Sequence, residues 1–277
     1  MTKREYAEAI VRMIGGKVME VEKANGIVLT GINRGNKNSN LSPTVYIDEM
    51  YDKDMRVELA AQKVDAILCE NAKQENIDID MITNWAWAKD KLKARLYGED
   101  TKADIFIYAN DYGMDDLKII PYLDMTDIVP NGYIKVTHSL ITAWGVKGEE
   151  VINTAIKNIE GTEVVEDMVT MMKDILRRNG MPEEHIEMMV KESQIPMLTV
   201  TNKDKCFGAI TIIAAKEKIK EIYPDGYIIL PSSVHEVIVV PYDESVDMDD
   251  IERNIVDINL TQVDPEERLG NHAYIIK

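Results

Sequence analysis

The spacing of the apolar residues changes repeatedly along the chain, between the period of an amphipathic helix and the two-residue period of a strand. Lys3–Ile14 has the helical period and predicts a helix. Lys17–Glu22 and Ile27–Ile32 alternate apolar and polar residues on either side of Asn25-Gly26, a turn pair that favours a hairpin. A third short strand is expected at Thr44–Ile47. Such a chain must build hairpin sheets that are covered by helices.

The middle of the chain shows the same change of period. Between Met55 and Gly98 the apolar residues have helical spacing, and we expect two helices, the second with a stripe of Trp85, Ala88, Leu92 and Leu96. Ala103–Ala109 predicts a largely buried strand. Leu123–Val129 is expected to pair with Tyr133–Ser139 across the turn pair Asn131-Gly132.

The last part of the chain contains further helices and strands. Helices are expected at Glu149–Ile159, Thr162–Asn179, Pro182–Ser193, Lys216–Ile222 and Val246–Ile258. Strands are expected at Met197–Thr201, Ala209–Ile213, Tyr227–Leu230 and Val237–Val240, with an edge strand at His272–Ile276. The pattern predicts an α+β fold of mixed or antiparallel sheets with helical cover, in two α/β subdomains of residues 1–130 and 131–277.

Composition and charge indicate an ordinary globular protein with an acidic surface. Of the 277 residues, 45% are hydrophobic and 29% are charged, which excludes disorder and allows a buried core. The formal net charge of −17 repels phosphate backbones and anionic membranes, so we expect no direct nucleic-acid or membrane ligand. The sequence contains no apolar run long enough for a membrane span and no signal-peptide pattern at its start, which favours the cytoplasm. Cys69 and Cys206 are expected to be reduced thiols.

Common nucleotide, hydrolase and metalloprotease motifs are missing from the sequence. It contains no GxGxxG, GxxxxGK[ST], GxSxG or HExxH pattern. His235-Glu236 begins like the last of these, but Val239 stands where the second histidine is required. We therefore expect neither a cofactor nor a metal ion.

The segment Leu230–Glu236 contains the candidate catalytic residues, which are Ser232, Ser233, His235 and Glu236. A serine hydroxyl becomes a nucleophile when a nearby imidazole accepts its proton and an acid orients the imidazole. His138 or Asn202 is a candidate to join them. The alternative is that this segment is a structural turn, in which the serine hydroxyls bond to backbone groups.

Two surfaces are candidates for binding a partner. Pro241–Gly270 holds ten acidic residues and only two arginines, and its candidate partner-binding residues are Asp247, Asp249, Asp250 and Glu252. An acidic surface attracts a basic protein, although a solvated helix face has the same pattern. The second surface is a methionine-rich stretch between Met168 and Met189, which suits either core packing or a partner-binding groove.

Several segments, taken in order, resemble a bacterial family known as domain-of-unknown-function family 5688. They are the N-terminal helix and hairpin, Asn40–Ile47, Val136–Val146, Leu198–Gly208, Leu230–Glu236 and Thr261–Glu267. The resemblance covers nearly the whole chain. It implies a bacterial, intracellular protein of mixed α/β character, and it carries no reaction, cofactor or catalytic residues.

Three functions remain open on these grounds. The first is noncatalytic protein recognition or regulation, with an unidentified protein partner and an unspecified oligomeric state. The second is a hydrolase or transferase that uses the serine and histidine segment. The third is an acidic inhibitor that imitates the charge of a nucleic acid.

Overall fold

The computed structural model describes residues 1–23, 26–35, 40–71, 76–129, 132–191 and 196–277. The chain forms two compact units, Met1–Ile82 and Thr83–Lys277. The predicted boundary between residues 130 and 131 lies outside the described residues, within the span of the second unit. Asn25, Asn131 and Ser193, which belong to predicted turns and to a predicted helix end, also lie outside them.

The first unit is a three-stranded antiparallel sheet with helices. Its strands are β1 (Lys17–Glu22), β2 (Val28–Asn33) and β3 (Thr44–Tyr46), in the order β1-β2-β3. Its helices are α1 (Lys3–Ile14), α2 (Asp48–Asp52), α3 (Val57–Asn71) and α4 (Ile79–Ile82). The Thr2 side chain accepts a hydrogen bond from the Glu5 amide and Glu5 accepts one from the Thr2 amide, a capping box that begins α1. The α1 helix, the hairpin and β3 confirm the sequence prediction for this unit.

The second unit contains the remaining helices and strands. Its helices are α5 (Trp85–Lys91), α6 (His138–Trp144), α7 (Gly148–Lys157), α8 (Met168–Arg178), α9 (Glu183–Lys191), α10 (Ile212–Ile222) and α11 (Met248–Gln262). Its strands are β4 (Leu92–Gly98), β5 (Ile107–Ala109), β6 (Met114–Asp124), β7 (Tyr133–Lys135), β8 (Glu163–Asp167), β9 (Leu198–Asn202), β10 (Tyr227–Leu230), β11 (Val237–Pro241) and β12 (Tyr274–Ile276).

Two antiparallel sheets organise this second unit. The five-stranded sheet has the order β12-β10-β11-β9-β8. In the other sheet β6 is the central strand. The long strand β4 pairs with β6, and so do the short strands β5 and β7. Helix α7 packs against β4 and β6, and α11 covers part of the five-stranded sheet through Ile255, next to Ile228 and Ala273. The α+β class and the antiparallel hairpins are those predicted from the sequence.

Two predicted strands are shorter in the structure. Ala103–Ala109 is a strand only at Ile107–Ala109, and two of these three residues are exposed. The predicted pairing of Leu123–Val129 with Tyr133–Ser139 is limited to three residue pairs, because β6 ends at Asp124 and α6 begins at His138.

Three other predicted elements differ from the structure in type. The helix predicted through Leu92 and Leu96 ends at Lys91, and a strand follows, because residues 92–98 pair with β6 along their whole length. The start of the predicted helix Thr162–Asn179 is strand β8, which pairs with β9. The predicted strand Ala209–Ile213 is a 3-10 turn that leads into α10. In each case the local pattern fits both structures, and tertiary packing decides between them.

Among the described residues, no helix combines the length and the apolar character that a membrane crossing requires.

Candidate functional site

The site is built on the face of β4 that carries Lys93, Arg95 and Tyr97. Successive side chains of a strand point to opposite faces, so these three share one face and the apolar residues between them share the other. The antiparallel register places Lys93 opposite Tyr122 of β6, and the Tyr122 ring therefore lies on the same face. On β4, this face combines the two cations Lys93 and Arg95 with an aromatic ring, and Tyr122 adds a second ring.

Arg95 lies in the centre of this face, and its side chain is surrounded by aromatic rings. Its Cζ atom lies 5.0 Å from the ring centre of Tyr97, 5.4 Å from that of Tyr122, 4.6 Å from that of Tyr133 and 5.0 Å from that of Phe207. We call these four rings the Arg95 cage. The residue is only 1% exposed, and its Nε and Nη1 atoms have no hydrogen-bond partner among the residues that the structure describes.

The rings stabilise this cation only in part. A cation–π contact contributes roughly 0.5–2 kcal/mol, whereas a buried ion without hydrogen bonds costs several kcal/mol. Buried polar groups in proteins are almost always hydrogen-bonded, and an exception calls for an explanation. The guanidinium of Arg95 is thus a buried positive charge whose Nε and Nη1 donors lack an acceptor among the described residues.

Phe207 reaches the cage from the loop between β9 and α10. Its backbone is in the left-handed region, at φ 51°, which is uncommon for a bulky residue. The next residue, Gly208, has no room for a side chain, since a Cβ there would lie 2.3 Å from Thr201 Oγ1 and 2.6 Å from the His235 carbonyl oxygen. The loop therefore folds back closely on β9, and this close approach directs the Phe207 ring towards Arg95.

Asn202, one of the predicted site residues, closes this loop. Its Nδ2 donates to the Cys206 carbonyl at 2.8 Å, and its Oδ1 accepts from the Cys206 amide at 3.1 Å. The Lys205 amide donates to the Asn202 carbonyl at 3.1 Å. Asn202 therefore fixes the shape of the loop from which Phe207 contacts Arg95.

The structure brings His235 to the same loop. Its imidazole stacks on the Phe207 ring at 5.6 Å, and Nδ1 accepts the Phe207 amide at 3.1 Å. A nitrogen that accepts a hydrogen bond carries no proton, so the imidazole proton is on Nε2, which lies 3.3 Å from Glu267 Oε1. In this arrangement His235 packs against the Phe207 ring and also accepts the Phe207 amide.

The predicted serine cluster forms a turn around His235. The Ser233 Oγ accepts the backbone amide of His235 at 3.1 Å, and the Ser233 amide donates to the Glu236 carbonyl at 3.1 Å. Ser232 and Glu236 are half-buried in the same segment. These contacts fit the alternative in which the segment is a structural turn. The alternative of a hydrolase or transferase site at these residues stays a prediction.

A cavity of about 270 Å³ lies beside the Arg95 cage. Tyr122, Tyr133 and Phe207 belong both to the cage and to the cavity wall. The wall also includes Lys93, Asp124, Asp204 and Cys206. The cavity is smaller than the roughly 300–1,000 Å³ of drug-sized ligand sites, so it suits a small molecule.

Lys93 bridges two carboxylates in this wall. Its Nζ lies 2.6 Å from Asp124 Oδ2 and 3.4 Å from Asp204 Oδ2. Burial disfavours the charge of Lys93, but the two carboxylates outweigh it and raise the pKa of Lys93. Burial also disfavours the charge of Asp124, but hydrogen bonds from Lys93 and from the Thr126 amide outweigh it, so the pKa of Asp124 is lowered. Both groups are ionised at neutral pH.

Two neutral side chains of the wall are the Cys206 thiol and the Tyr122 hydroxyl. Burial raises the pKa of the Cys206 thiol, and the nearby Asp124 charge adds to the effect. Burial likewise raises the pKa of the Tyr122 hydroxyl. A thiol is nucleophilic as the thiolate, so Cys206 is poorly suited to nucleophilic catalysis at neutral pH.

The remaining predicted residues lie elsewhere. His138 is exposed at the start of α6, where its backbone amide donates to Asp104 Oδ2 at 3.2 Å. No contact between His138 and His235 is found among the described residues. In the same part of the chain, no group of three or more histidine, cysteine, aspartate or glutamate side chains is placed so that it could hold a metal ion.

The predicted partner-binding acids lie at the start of α11. Asp247 caps the helix by accepting the amides of Asp249 and Asp250. Asp250 is paired with Arg253, and Glu252 is paired with His272. Helix capping and local pairing therefore account for most of these carboxylates.

Sequence reasoning missed Arg95 and Lys93, because their strand was predicted to be a helix. The signal that identifies them is the strict alternation in Leu92–Tyr97 between apolar residues and large polar or aromatic ones.

Comparison with known proteins identifies one family. A family model described as "Family of unknown function (DUF5688)" matches residues 3–277. Separate comparisons with curated proteins and with solved structures find no match.

Proposed function

We propose that this chain, which belongs to the DUF5688 family, is a noncatalytic binding protein whose ligand is a small organic carboxylate held beside Arg95. The observation that carries the proposal is the guanidinium of Arg95, which is 1% exposed and whose Nε and Nη1 lack a partner among the described residues. A carboxylate supplies the acceptor oxygens and the negative charge that these donors require.

The cavity wall favours a carboxylate over a phosphate. Asp124 and Asp204 belong to the same wall and repel a dianion more strongly than a monoanion. The net charge of −17 acts in the same direction. The rings of Tyr133 and Phe207 provide apolar contact for the rest of the ligand.

Entry of the ligand requires one ring to move. Tyr133 is the ring closest to the guanidinium, it is 38% exposed, and it lies on the three-residue strand β7. The Phe207 ring, in contrast, is held by its backbone and by the stacked His235. We therefore assign the movement to Tyr133.

The test is isothermal titration calorimetry of the full chain with acetate, benzoate, 3-phenylpropionate, the neutral 3-phenylpropanamide and inorganic phosphate. We expect at least one carboxylate with an apolar body to bind with a Kd of about 1 mM or tighter, and the amide to show no binding. Arg95→Met should abolish binding and Arg95→Lys should weaken it, because lysine keeps the charge but loses the planar donors.

Lys135→Met is the matched control. Lys135 is an exposed cation on β7, near the cavity but outside its wall, so its loss should leave binding unchanged. The proposal is wrong if no carboxylate binds, if phosphate alone binds, or if Arg95→Met binds as tightly as the natural chain.

A further inference from the structure

The charges around the cavity are arranged in two groups. Lys93 and Arg95 are neighbours on one face of β4 and provide two positive charges. Asp124, at the end of β6, and Asp204, in the loop after β9, provide two negative charges. The site is therefore neutral overall, and Lys93 contacts both carboxylates.

The two carboxylates have acceptor capacity to spare. Asp204 is 70% exposed at its side chain, and its contact with Lys93 is long, at 3.4 Å. Asp124 receives Lys93 at one oxygen and the Thr126 amide at the other. Two carboxylates offer about eight lone-pair positions, and a single ammonium has three N–H donors to place among them. A second ammonium would find acceptors here.

We infer that the ligand is a zwitterion of the amino-acid type, whose carboxylate faces Arg95 and Lys93 and whose ammonium group faces Asp204 and Asp124. This inference rests on the proposed function, and it adds the second charged group of the ligand. Lys93 contacts both carboxylates and is two residues from Arg95 on the same face of β4, so positive and negative groups lie close together here. Ring contacts from Tyr133 and Phe207 select an apolar side chain.

The test compares three related compounds by calorimetry on the full chain: L-phenylalanine, 3-phenylpropionate, which lacks the amino group, and phenethylamine, which lacks the carboxylate. L-alanine, propionate and ethylamine form a second set without the ring. We expect the amino acid of at least one set to bind about tenfold more tightly than the matching acid, and the amine to bind weakly.

Asp204→Asn tests the position of the ammonium group separately from that of the carboxylate. It should remove about tenfold of the affinity for the amino acid, whose ammonium group loses its partner. The affinity for the matching acid should not fall and is expected to rise slightly, because the substitution also removes a charge that repels the carboxylate. Asp127→Asn is the control, because Asp127 is an exposed acid paired with Lys91 and lies outside the cavity wall.

The outcomes distinguish the two proposals. Equal binding of the acid and the amino acid overturns the zwitterion and keeps the carboxylate function. Binding of the amine without the acid overturns both. Tighter binding of the amino acid that Asp204→Asn does not affect overturns the assignment of the ammonium position.

Discussion

Two buried cations lie on the same face of one sheet, and they are held in different ways. Lys118 of β6 is opposite Tyr97, so it shares the face of Arg95. It is 8% exposed, donates to the carbonyl oxygens of Glu99 and Thr101, and lies 4.6 Å from the ring centre of Phe106. Arg95 has a fuller set of rings, but its Nε and Nη1 lack an acceptor among the described residues.

The difference separates a structural cation from a binding one. For Lys118 the chain provides two carbonyl oxygens, which accept two of the three N–H donors of its ammonium group. For Arg95 the described residues provide aromatic rings, which surround the charge without accepting the N–H groups of Nε and Nη1 in the plane of the guanidinium. A site that is optimised for a ligand is commonly a site that is suboptimal for stability.

The largest expected effect is on stability. Lys118→Met should lower the free energy of unfolding by roughly 2 kcal/mol, because it leaves the Thr101 carbonyl without its donor in a buried position. Arg95→Met should lower the free energy of unfolding by less than about 1 kcal/mol, or even raise it, because it removes a buried charge whose Nε and Nη1 have no acceptor among the described residues. Urea unfolding followed by tryptophan fluorescence measures both, because Trp85, Trp87 and Trp144 all lie in the second unit.

Equal losses for the two variants would remove the distinction between the two cations. A loss for Arg95→Met larger than that for Lys118→Met would make Arg95 the structural member of the pair.

The next effect concerns Asp124, the cavity-wall acid that pairs with Lys93. Asp124→Asn should lower stability by roughly 1 kcal/mol at neutral pH, because Asp124 holds Lys93 and the Thr126 amide. The folded-state pKa of Asp124 is lowered, so its contribution is present above the unfolded value and is lost as the pH falls through the folded value. The difference in the free energy of unfolding between the natural chain and the variant should therefore be constant from about pH 5 to pH 8 and shrink below about pH 4. Urea unfolding at each pH measures it.

Asp127→Asn again provides the control, with an effect of at most about 0.5 kcal/mol, since that pair is exposed. A difference for Asp124→Asn that grew in acid would contradict the assigned direction of the shift.

The smallest effect is one of chemical reactivity. Each unit contains one cysteine: Cys69 is exposed, and Cys206 is half-buried in the cavity wall with a raised pKa. Iodoacetamide should alkylate Cys206 several-fold more slowly than Cys69 at neutral pH, and a bound carboxylate should slow only Cys206. Mass spectrometry of the two peptides measures both rates in one sample. Protection of both cysteines by the same compound would place its effect outside the cavity.

The sequence predicts much of the fold because the hairpins have strong local signals. Lys17–Glu22 has a clear two-residue period, and it forms β1. Leu92 and Leu96 continue the helical spacing of Trp85 and Ala88 and also alternate with Lys93 and Arg95, so the pattern alone fits both structures. Pairing with β6, about 25 residues later in the chain, decides for the strand.

The candidate site is harder to predict, because its members come from distant segments. Arg95, Tyr133 and Phe207 lie on three separate elements, and no local spacing connects them. The segment around His235 was identified by its residue types, and the structure places it next to Phe207. Its imidazole and its hydroxyl take different partners from those of a nucleophile and base, since backbone amides occupy Nδ1 and the Ser233 Oγ.

The close packing of Gly208 has a consequence for the history of such chains. Because a Cβ at this position would lie 2.3 Å from Thr201 Oγ1, every amino acid except glycine forces the loop away from β9. A lineage that loses the glycine would lose the position of Phe207 with it, and selection on Arg95 would then relax. We expect the glycine and the arginine to be inherited or lost together, so that the pair marks which descendants retain the cavity.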